Sequence, residues 1–334
     1  MKIESHSISR IWMPRGETLT AIILFALIAA LPVFISGYPI YILPQYMLFG
    51  MLAMSLSLVW GFAGALSFGQ GAFFAIGAYT MGLTMKATWI VNPAYVGLVM
   101  SVVIGGLLSA IVGYFLFSAG VRGSYFVLIT IALSIITEQV AVSQSQITGG
   151  WNGMFIDRMS LTLGDLLQVS LRSDAAIYYI ILPIVGASYF LLRLLTGSKV
   201  GKILIGIREN EERIISLGFN STLYKTIAFT ISGAIACLAG AFYGTHAEFV
   251  APSSGGVLFS TEVVVWVAIG GRASLLGALL GGIVVSLFSN YLSAIFPQYW
   301  QLILGLVFLV VIVYFKGGVA GALSQFFNQQ PKRG

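Results

Sequence analysis

Long apolar runs separated by short polar segments dominate the chain. A helix needs about 20 mostly apolar residues to cross a bilayer core of roughly 30 Å, because its backbone groups must hydrogen-bond within the segment. Nine runs come close to this length or reach it and predict membrane spans. They are 18–35, 42–60, 67–85, 94–117, 124–143, 176–195, 227–247, 273–296 and 300–315.

A tenth run, 255–271, is shorter and carries Glu262. It is compatible with a brief span, a re-entrant element or part of a bent helix. Lys and Arg concentrate in cytoplasmic loops, which places the most basic loop, 196–225, inside. The C-terminal tail with Lys316 then also lies inside only if 255–271 crosses the membrane. We therefore predict an all-α, polytopic integral membrane helix bundle of about ten spans, with eight or nine as open alternatives.

The predicted topology divides the chain into three parts. Residues 1–17 form a cytoplasmic leader, 18–316 a single transmembrane domain, and 317–334 a cytoplasmic tail. The transmembrane domain contains an outer loop, 144–175, and a cytoplasmic loop, 197–225. The first run has no small-residue cleavage site and predicts an uncleaved anchor.

Composition excludes an ordinary soluble protein. The chain is 58% hydrophobic and 8% charged, whereas soluble domains average roughly 25% charged. The net charge of +6 is scattered between apolar runs rather than gathered into a stripe, so nucleic acid is not expected as a partner. The single cysteine, Cys237, excludes an internal disulfide.

Glycine is abundant, with 39 residues. In lipid, close helix packing depends on small residues, so pairs with GxxxG spacing predict tight contacts. These pairs are Gly240/Gly244, Gly277/Gly281 and Gly317/Gly321. A denser cluster between Gly61 and Gly71, with Gln70, is also compatible with a broken helix that exposes backbone to a cavity.

The sequence offers little catalytic chemistry. Gly201-Lys202 is not followed by Ser or Thr and lacks the glycine of a phosphate-binding loop, and one cysteine cannot build a Cys-rich metal site. No enzymatic activity, cofactor or metal is expected. Glu138 is the one acid near the interior of a run, with a structural or pore-lining role; it also permits an ion-coupled secondary transporter as a rival. Glu248 and Glu262 flank the outer loop, where we expect them to be solvated.

Residues 201–220 combine charged side chains with an apolar stripe at helical spacing. The pattern predicts a short amphipathic helix on the cytoplasmic face, ended by Leu217-Gly218. Such a helix is either a connector in the headgroup region or an element that a partner protein grips.

Arg208-Glu-Asn-Glu211 followed by Ser216-Leu-Gly218 resembles the cytoplasmic coupling loop of ATP-binding-cassette importer permeases of the branched-chain amino acid family, the LivM and UrtC type. Four other segments resemble motifs of the same family, in its order along the chain. They are 64–79, 122–126 with Thr130, 148–153 and 269–277. Glu212-Arg213-Ile214 departs from the Glu-Ala-Ala of importers in general, and Ala273 and Ala278 replace a usual glycine and a common proline.

The resemblance implies a permease subunit of a bacterial inner membrane that moves branched-chain amino acids, or related small polar solutes, by alternating access. Urea is the alternative solute within the family. The implied partners are a LivH-like second permease, two ATP-binding-cassette ATPases and a periplasmic solute-binding protein. The candidate residues for coupling to the ATPases are Gly201, Arg208, Glu209, Asn210, Glu211, Glu212, Ser216, Leu217 and Gly218. The candidate pore or gating residues are Gly69, Gln70, Gly71, Tyr125, Thr130, Glu138, Gly270, Gly271 and Arg272.

Overall fold

The computed structural model describes residues 15–35, 37–87, 92–163, 167–170 and 173–314. Within these ranges the chain is almost entirely helical. The helices are α1 (Arg15–Phe34), α2 (Tyr38–Ser57), α3 (Gln70–Lys86), α4 (Pro93–Ser118), α5 (Ser124–Ser143), α6 (Ser145–Thr148), α7 (Asp174–Gly197), α8 (Lys199–Glu209), α9 (Glu211–Ser216), α10 (Ser221–Ala247), α11 (Val257–Gly270), α12 (Leu275–Ile295) and α13 (Trp300–Tyr314).

Ten of these helices coincide with the ten apolar runs. Six of them, α2 with its continuation, α4, α5, α7, α10 and α12, are long and apolar enough to cross a membrane by themselves. Of the other four, α3 has 17 residues, α11 has 14 and α13 has 15, and the apolar part of α1, Thr18–Phe34, has 17. The prediction of an all-α, polytopic membrane protein is confirmed, and the helices are consistent with about ten spans.

Helix α10 lies at the centre of the bundle, packed against α2, α3 and α4. Close approach depends on glycine, since a Cβ at Gly240 would stand 1.8 Å from the carbonyl oxygen of Phe74 on α3. A Cβ at Gly281 on α12 would likewise stand 2.2 Å from the carbonyl oxygen of Trp266. The first two GxxxG pairs therefore lie at tight helix contacts, as predicted, and Gly317/Gly321 lies outside the described residues.

The glycine cluster after α2 breaks the helix. A π-helical turn, Leu58–Phe62, continues α2, and residues 63–69 then run without regular structure until α3 begins at Gln70. The third apolar run was predicted to start at Ser67, three positions earlier. This irregular segment leads directly into the candidate pore residues Gly69, Gln70 and Gly71.

Four short strands, which the hydrophobic pattern did not predict, lie at the other end of the bundle. Three of them, β1 (Met154–Phe155), β2 (Ser160–Leu163) and β3 (Leu167–Ser170), lie between α5 and α7. β1 pairs with β4 (Phe249–Val250), which follows α10, and β2 pairs with β3. Arg158 fastens this end by hydrogen bonds to Glu248 and to Asp174, the latter at 3.4 Å. Glu248, which was predicted to be solvated, thus also forms an ion pair with Arg158.

Candidate functional site

The segment predicted as one amphipathic helix forms two helices, α8 and α9, separated at Asn210. Asn210 has an extended backbone, and its side-chain oxygen accepts a hydrogen bond from the backbone N–H of Arg213, at 3.0 Å. Asparagine is a strong N-cap because its side chain satisfies an otherwise free N–H at the start of a helix. The break therefore follows from a capping residue that the apolar stripe does not reveal.

Helix α9 ends at the predicted glycine. Gly218 has a φ of 87°, its N–H donates to Ile215 O at 2.9 Å, and the N–H of Phe219 donates to Ile214 O at 3.2 Å. This pair of bonds is the Schellman arrangement, in which a left-handed residue satisfies the last carbonyl groups. Because α9 is only six residues long, this stop and the Asn210 cap define most of its geometry.

The two faces of the α8–α9 element differ in exposure. Leu204 and Ile207 are buried against the bundle, and Gly201 is buried beside Thr196, whose carbonyl oxygen would lie 2.1 Å from a Cβ there. The apolar side chain of Leu217, by contrast, is 65% exposed. Glu212 and Ser216 are also exposed, and the Ser216 hydroxyl bonds only within its own helix. The outer face of α9 is thus available for contact.

Arg208 joins α8 to the end of α2. Its guanidinium donates a hydrogen bond to the carbonyl oxygen of Gly61, in the π-helical turn, and pairs with Glu209 at 2.6 Å. Carbonyl groups at a helix end have no partner within the helix. An arginine from the amphipathic element therefore satisfies part of the broken end of a membrane helix.

Glu211 joins α9 to two other parts of the bundle. Its carboxylate lies 2.6 Å from Lys225 Nζ on α10 and 3.2 Å from Arg122 Nε before α5. Burial raises the pKa of Glu211, but hydrogen bonds from Lys225 and Ser221 and the two positive charges outweigh burial, so its pKa is lowered overall. Glu211 is therefore held as a carboxylate between its cations.

A cleft of about 260 Å³ lies between the junction of α8 and α9 and the neighbouring ends of the membrane helices. Gly64, Phe117, Arg122, Arg208 and Lys225 are among its lining residues. Arg208 and Glu211 attach the element beside this cleft, in addition to the buried contacts of Leu204 and Ile207.

Gln70, at the start of α3, is fully buried. Its amide donates to Ser232 Oγ on α10 at 3.0 Å and accepts from Ser55 Oγ on α2 at 3.3 Å. The Ser232 hydroxyl in turn donates to Ser55 O at 2.6 Å. This network joins α2, α3 and α10, and it gives hydrogen-bond partners to the buried amide of Gln70.

The segment before α3 is hydrogen-bonded to α5. The N–H of Phe68 donates to Thr130 Oγ1 at 3.0 Å, and its carbonyl oxygen accepts from Ser134 Oγ at 2.7 Å. Ser134 also lies 3.0 Å from Ser260 Oγ on α11. The adjacent candidate residues take part in the same packing, because Gly69 lies against Thr130 and Gly71 against Ser260.

The other candidate pore residues lie in separate places. Glu138 is half-buried beside Gly256, at the start of α11, and Tyr125 is 74% exposed near the start of α5. Gly270 packs against Gly277 of α12, and Gly271 and Arg272 form the corner between α11 and α12. The carbonyl oxygen of Arg272 accepts from Ser57 Oγ at 2.9 Å, so this corner also meets the end of α2.

Sequence reasoning missed the partners of these candidates. The missed partners are Ser55, Ser134, Ser232 and Ser260. Serines inside apolar runs are visible in the sequence, but their pairing across helices is not. In the part of the chain that the structure describes, no three His, Cys, Asp or Glu side chains come together as a metal site.

Comparison with known proteins assigns the chain to a family. The family model for the branched-chain amino acid transport system / permease component matches residues 38–312. The high-affinity branched-chain amino acid transport system permease protein LivM of Salmonella typhimurium is 29% identical over 325 residues, which cover 91% of this chain and 75% of that protein. The ribose import permease protein RbsC of Haemophilus influenzae is 23% identical over 325 residues, covering 94% and 97%.

A third relative, the autoinducer 2 import system permease protein LsrC of Escherichia coli, is 25% identical over 185 residues, covering 53% of each chain. No solved structure matches the chain. The match to the family model extends from α2 into α13 and so includes both the α8–α9 element and the Gln70 network. The chain belongs to the family of branched-chain amino acid transport system permease components.

Proposed function

We propose that the chain is the membrane-spanning permease subunit of an ATP-binding-cassette importer. It translocates branched-chain amino acids or related small polar solutes by alternating access, driven by partner ATPases. The full assembly contains a LivH-like second permease, two ATPases and a periplasmic solute-binding protein in a bacterial inner membrane. The permease performs no covalent chemistry, and both of its termini are cytoplasmic.

The main support for this proposal is the way in which α8 and α9 are exposed on one side and bonded to membrane helices on the other. The element presents an exposed apolar side chain, Leu217, while Arg208 and Glu211 attach it to α2, α10 and the start of α5. A protein that binds the outer face of α9 can therefore act on several membrane helices through defined bonds. Leu217 is placed to enter a hydrophobic pocket of the partner, and Glu212 and Ser216 to contact its rim.

Coupling requires different contacts in the two transport states. A partner that binds α9 equally well in the inward-facing and outward-facing states shifts no equilibrium. We infer that closure of the ATPases moves the α8–α9 element relative to the bundle and changes the bonds of Arg208 and Glu211. This differential contact is what links ATP hydrolysis to solute movement.

The test replaces Leu217 by Gln in the assembled importer. We expect stimulated ATP hydrolysis and leucine uptake to fall about tenfold or more, since a contact worth roughly 1.4 kcal/mol or more is lost. Insertion and thermal stability should not change, because Leu217 is 65% exposed. The matched control is Leu258→Gln at the start of α11, where the side chain is 74% exposed but distant from α9.

Normal uptake by Leu217→Gln would contradict coupling through α9. Uptake that persists without ATP but is lost when an ion gradient is dissipated would instead favour an ion-coupled secondary transporter. Comparing radiolabelled leucine with urea in the same vesicles distinguishes the two solutes that the family resemblance leaves open.

A further inference from the structure

A cavity of about 180 Å³ lies between α2, α11, α12 and the start of α13. Along α2 it is displaced from the Arg208 contact at Gly61, since Gln45 and Phe49 precede Gly61 by sixteen and twelve residues, or about 24 and 18 Å of helix. Many side chains that line it are polar, although all belong to membrane helices or their ends. The polar lining residues are Gln45, Glu262, Ser286, Ser289, Asn290 and Ser293.

Four of these residues form a stripe on α12. Ser286, Ser289, Asn290 and Ser293 follow the spacing i, i+3, i+4, i+7, which places them on one face of the helix. Polar residues inside membrane spans usually serve contacts between helices or line water-filled paths. The buried hydroxyl of Ser286, which is 6% exposed, has no hydrogen-bond partner among the described residues. The stripe therefore offers binding capacity that helix packing does not use.

Glu262 supplies the only charged side chain in the lining. It lies in the second turn of α11 and is half-buried, which corrects the prediction that it is freely solvated. Among the described residues no Lys or Arg forms an ion pair with it. An unpaired carboxylate on a membrane helix is costly and typically marks a solute or ion pathway.

Aromatic rings form another side of the cavity. Phe49 stacks on Trp266 with ring centroids 5.0 Å apart, and both line the cavity with Trp300. Aromatic faces next to a carboxylate favour an organic cation, by cation–π attraction and by charge-assisted hydrogen bonds. The volume is below the ~300–1,000 Å³ of pockets for drug-sized ligands, so it suits a small solute.

We infer that this cavity binds an α-amino acid, with its ammonium group at Glu262 and its carboxylate at the hydroxyl and amide groups of α12. The inference rests on the proposed function, which leaves the solute class and its site in the permease open. It favours amino acids over urea, because urea carries no ammonium group to use the carboxylate of Glu262. The aromatic side chains then contact the apolar part of the amino acid.

The experiment uses the full chain, co-expressed with its partner subunits in spheroplasts. Ser289→Cys introduces a thiol into the cavity, and the native Cys237 is fully buried and gives no background. Phe288→Cys is the matched control, since it lies at the same depth on another face of α12 and is 41% exposed. The probes are two membrane-impermeant methanethiosulfonates, one cationic and one anionic, each with and without L-leucine or urea.

We expect Ser289→Cys to react with the cationic reagent about tenfold faster than with the anionic one, because of the nearby negative charge. Leucine should slow the reaction and urea should not. In the Glu262→Gln background the preference for the cation should disappear, whereas Glu262→Asp, which keeps the charge, should retain it. Phe288→Cys should react slowly with both reagents.

Three results would overturn the inference. Equally slow reaction of the two thiols would show that the cavity is closed to water. Equal protection by leucine and urea, or protection by neither, would reject an amino acid site. Labelling only when the second permease is omitted would identify the cavity as a subunit interface. If ATP-driven leucine uptake is intact in any of these cases, the proposed function stands and the cavity assignment alone fails.

Discussion

Glu211 lies between two cations of very different exposure. The side chain of Lys225 is 7% exposed and that of Arg122 is 53% exposed. The Lys225 ammonium also lies 5.0 Å from the ring centroid of Phe117, a cation–π contact. The free energy of a charge pair depends on burial, since a buried charge without a partner is costly and an exposed one is solvated. The two contacts of Glu211 should therefore contribute unequally.

Glu211→Gln should destabilise the permease by about 3 kcal/mol or more, because it leaves the buried ammonium of Lys225 unpaired. Arg122→Met, the control, should cost about 1 kcal/mol or less, since it removes only the exposed partner. Thermal unfolding of both variants in the same detergent measures the difference. Similar losses for the two variants would show that burial does not distinguish the contacts.

At the scale of elements, the unusual part of the bundle is the segment between α2 and α3. Irregular backbone inside a membrane protein persists only where its polar groups find partners. The backbone N–H and carbonyl groups of Phe68 have them in Thr130 and Ser134 of α5. Helix α5 thus stabilises a helix break in a neighbouring part of the chain.

Thr130→Val preserves the shape of the side chain and removes the acceptor of the Phe68 N–H. We expect a loss of about 1–3 kcal/mol, the cost of a buried unsatisfied group, and faster hydrogen exchange in residues 63–69. Ser143→Ala is the control on the same helix, since the exposed Ser143 hydroxyl bonds only to Val140 O. Mass-spectrometric hydrogen exchange checks the prediction, and unchanged protection of the segment in Thr130→Val would refute it.

For the whole molecule, the position of α10 depends on close backbone contact as well as on buried side chains such as Phe229. Gly240 meets the backbone of α3, and Gly77 of α3 meets the backbone of α10, with a Cβ there 1.9 Å from Cys237 O. Backbone atoms cannot yield as a flexible side chain can. Adding a single methyl group at this contact must separate the two helices.

Gly240→Ala should therefore destabilise the bundle by about 1–3 kcal/mol or more, the range found for overpacked interiors. Gly106→Ala on α4 is a matched control, because a Cβ there would be 3.9 Å from its nearest neighbour across the contact, the Cβ of Ala234. This control should be neutral or stabilising by up to about 1 kcal/mol, through higher helix propensity. Size-exclusion profiles and thermal unfolding compare the two, and equal behaviour would argue against a tight contact.

The sequence predicted the membrane helices well because burial in lipid requires an apolar run of nearly fixed length. It also predicted the stop at Gly218, since a glycine after an amphipathic stretch has a local physical meaning. The break at Asn210 was missed because the apolar stripe continues across it. The strands near Met154 and Phe249 were missed because their pairing joins residues far apart in sequence.

The candidate site was only partly predictable for the same reason. Gln70 and Thr130 were visible as polar residues in matched motifs, but their bonds to Ser232 and Phe68 depend on helix packing. The polar stripe of α12 could have been found from its spacing alone. Its relation to Glu262 could not, because that requires knowing that α11 and α12 are neighbours.

Helix α2 is in contact with both the α8–α9 element and the cavity. Arg208 and the corner at Arg272 both bond to its last turns, and Gln45 and Phe49, sixteen and twelve residues before Gly61, line the cavity. A helix is stiff along its axis, so a displacement applied at one end arrives at the other nearly unchanged. In the proposed alternating-access cycle, a displacement of the Arg208 end of α2 would therefore reach the cavity directly and would couple opening on one side to closing on the other.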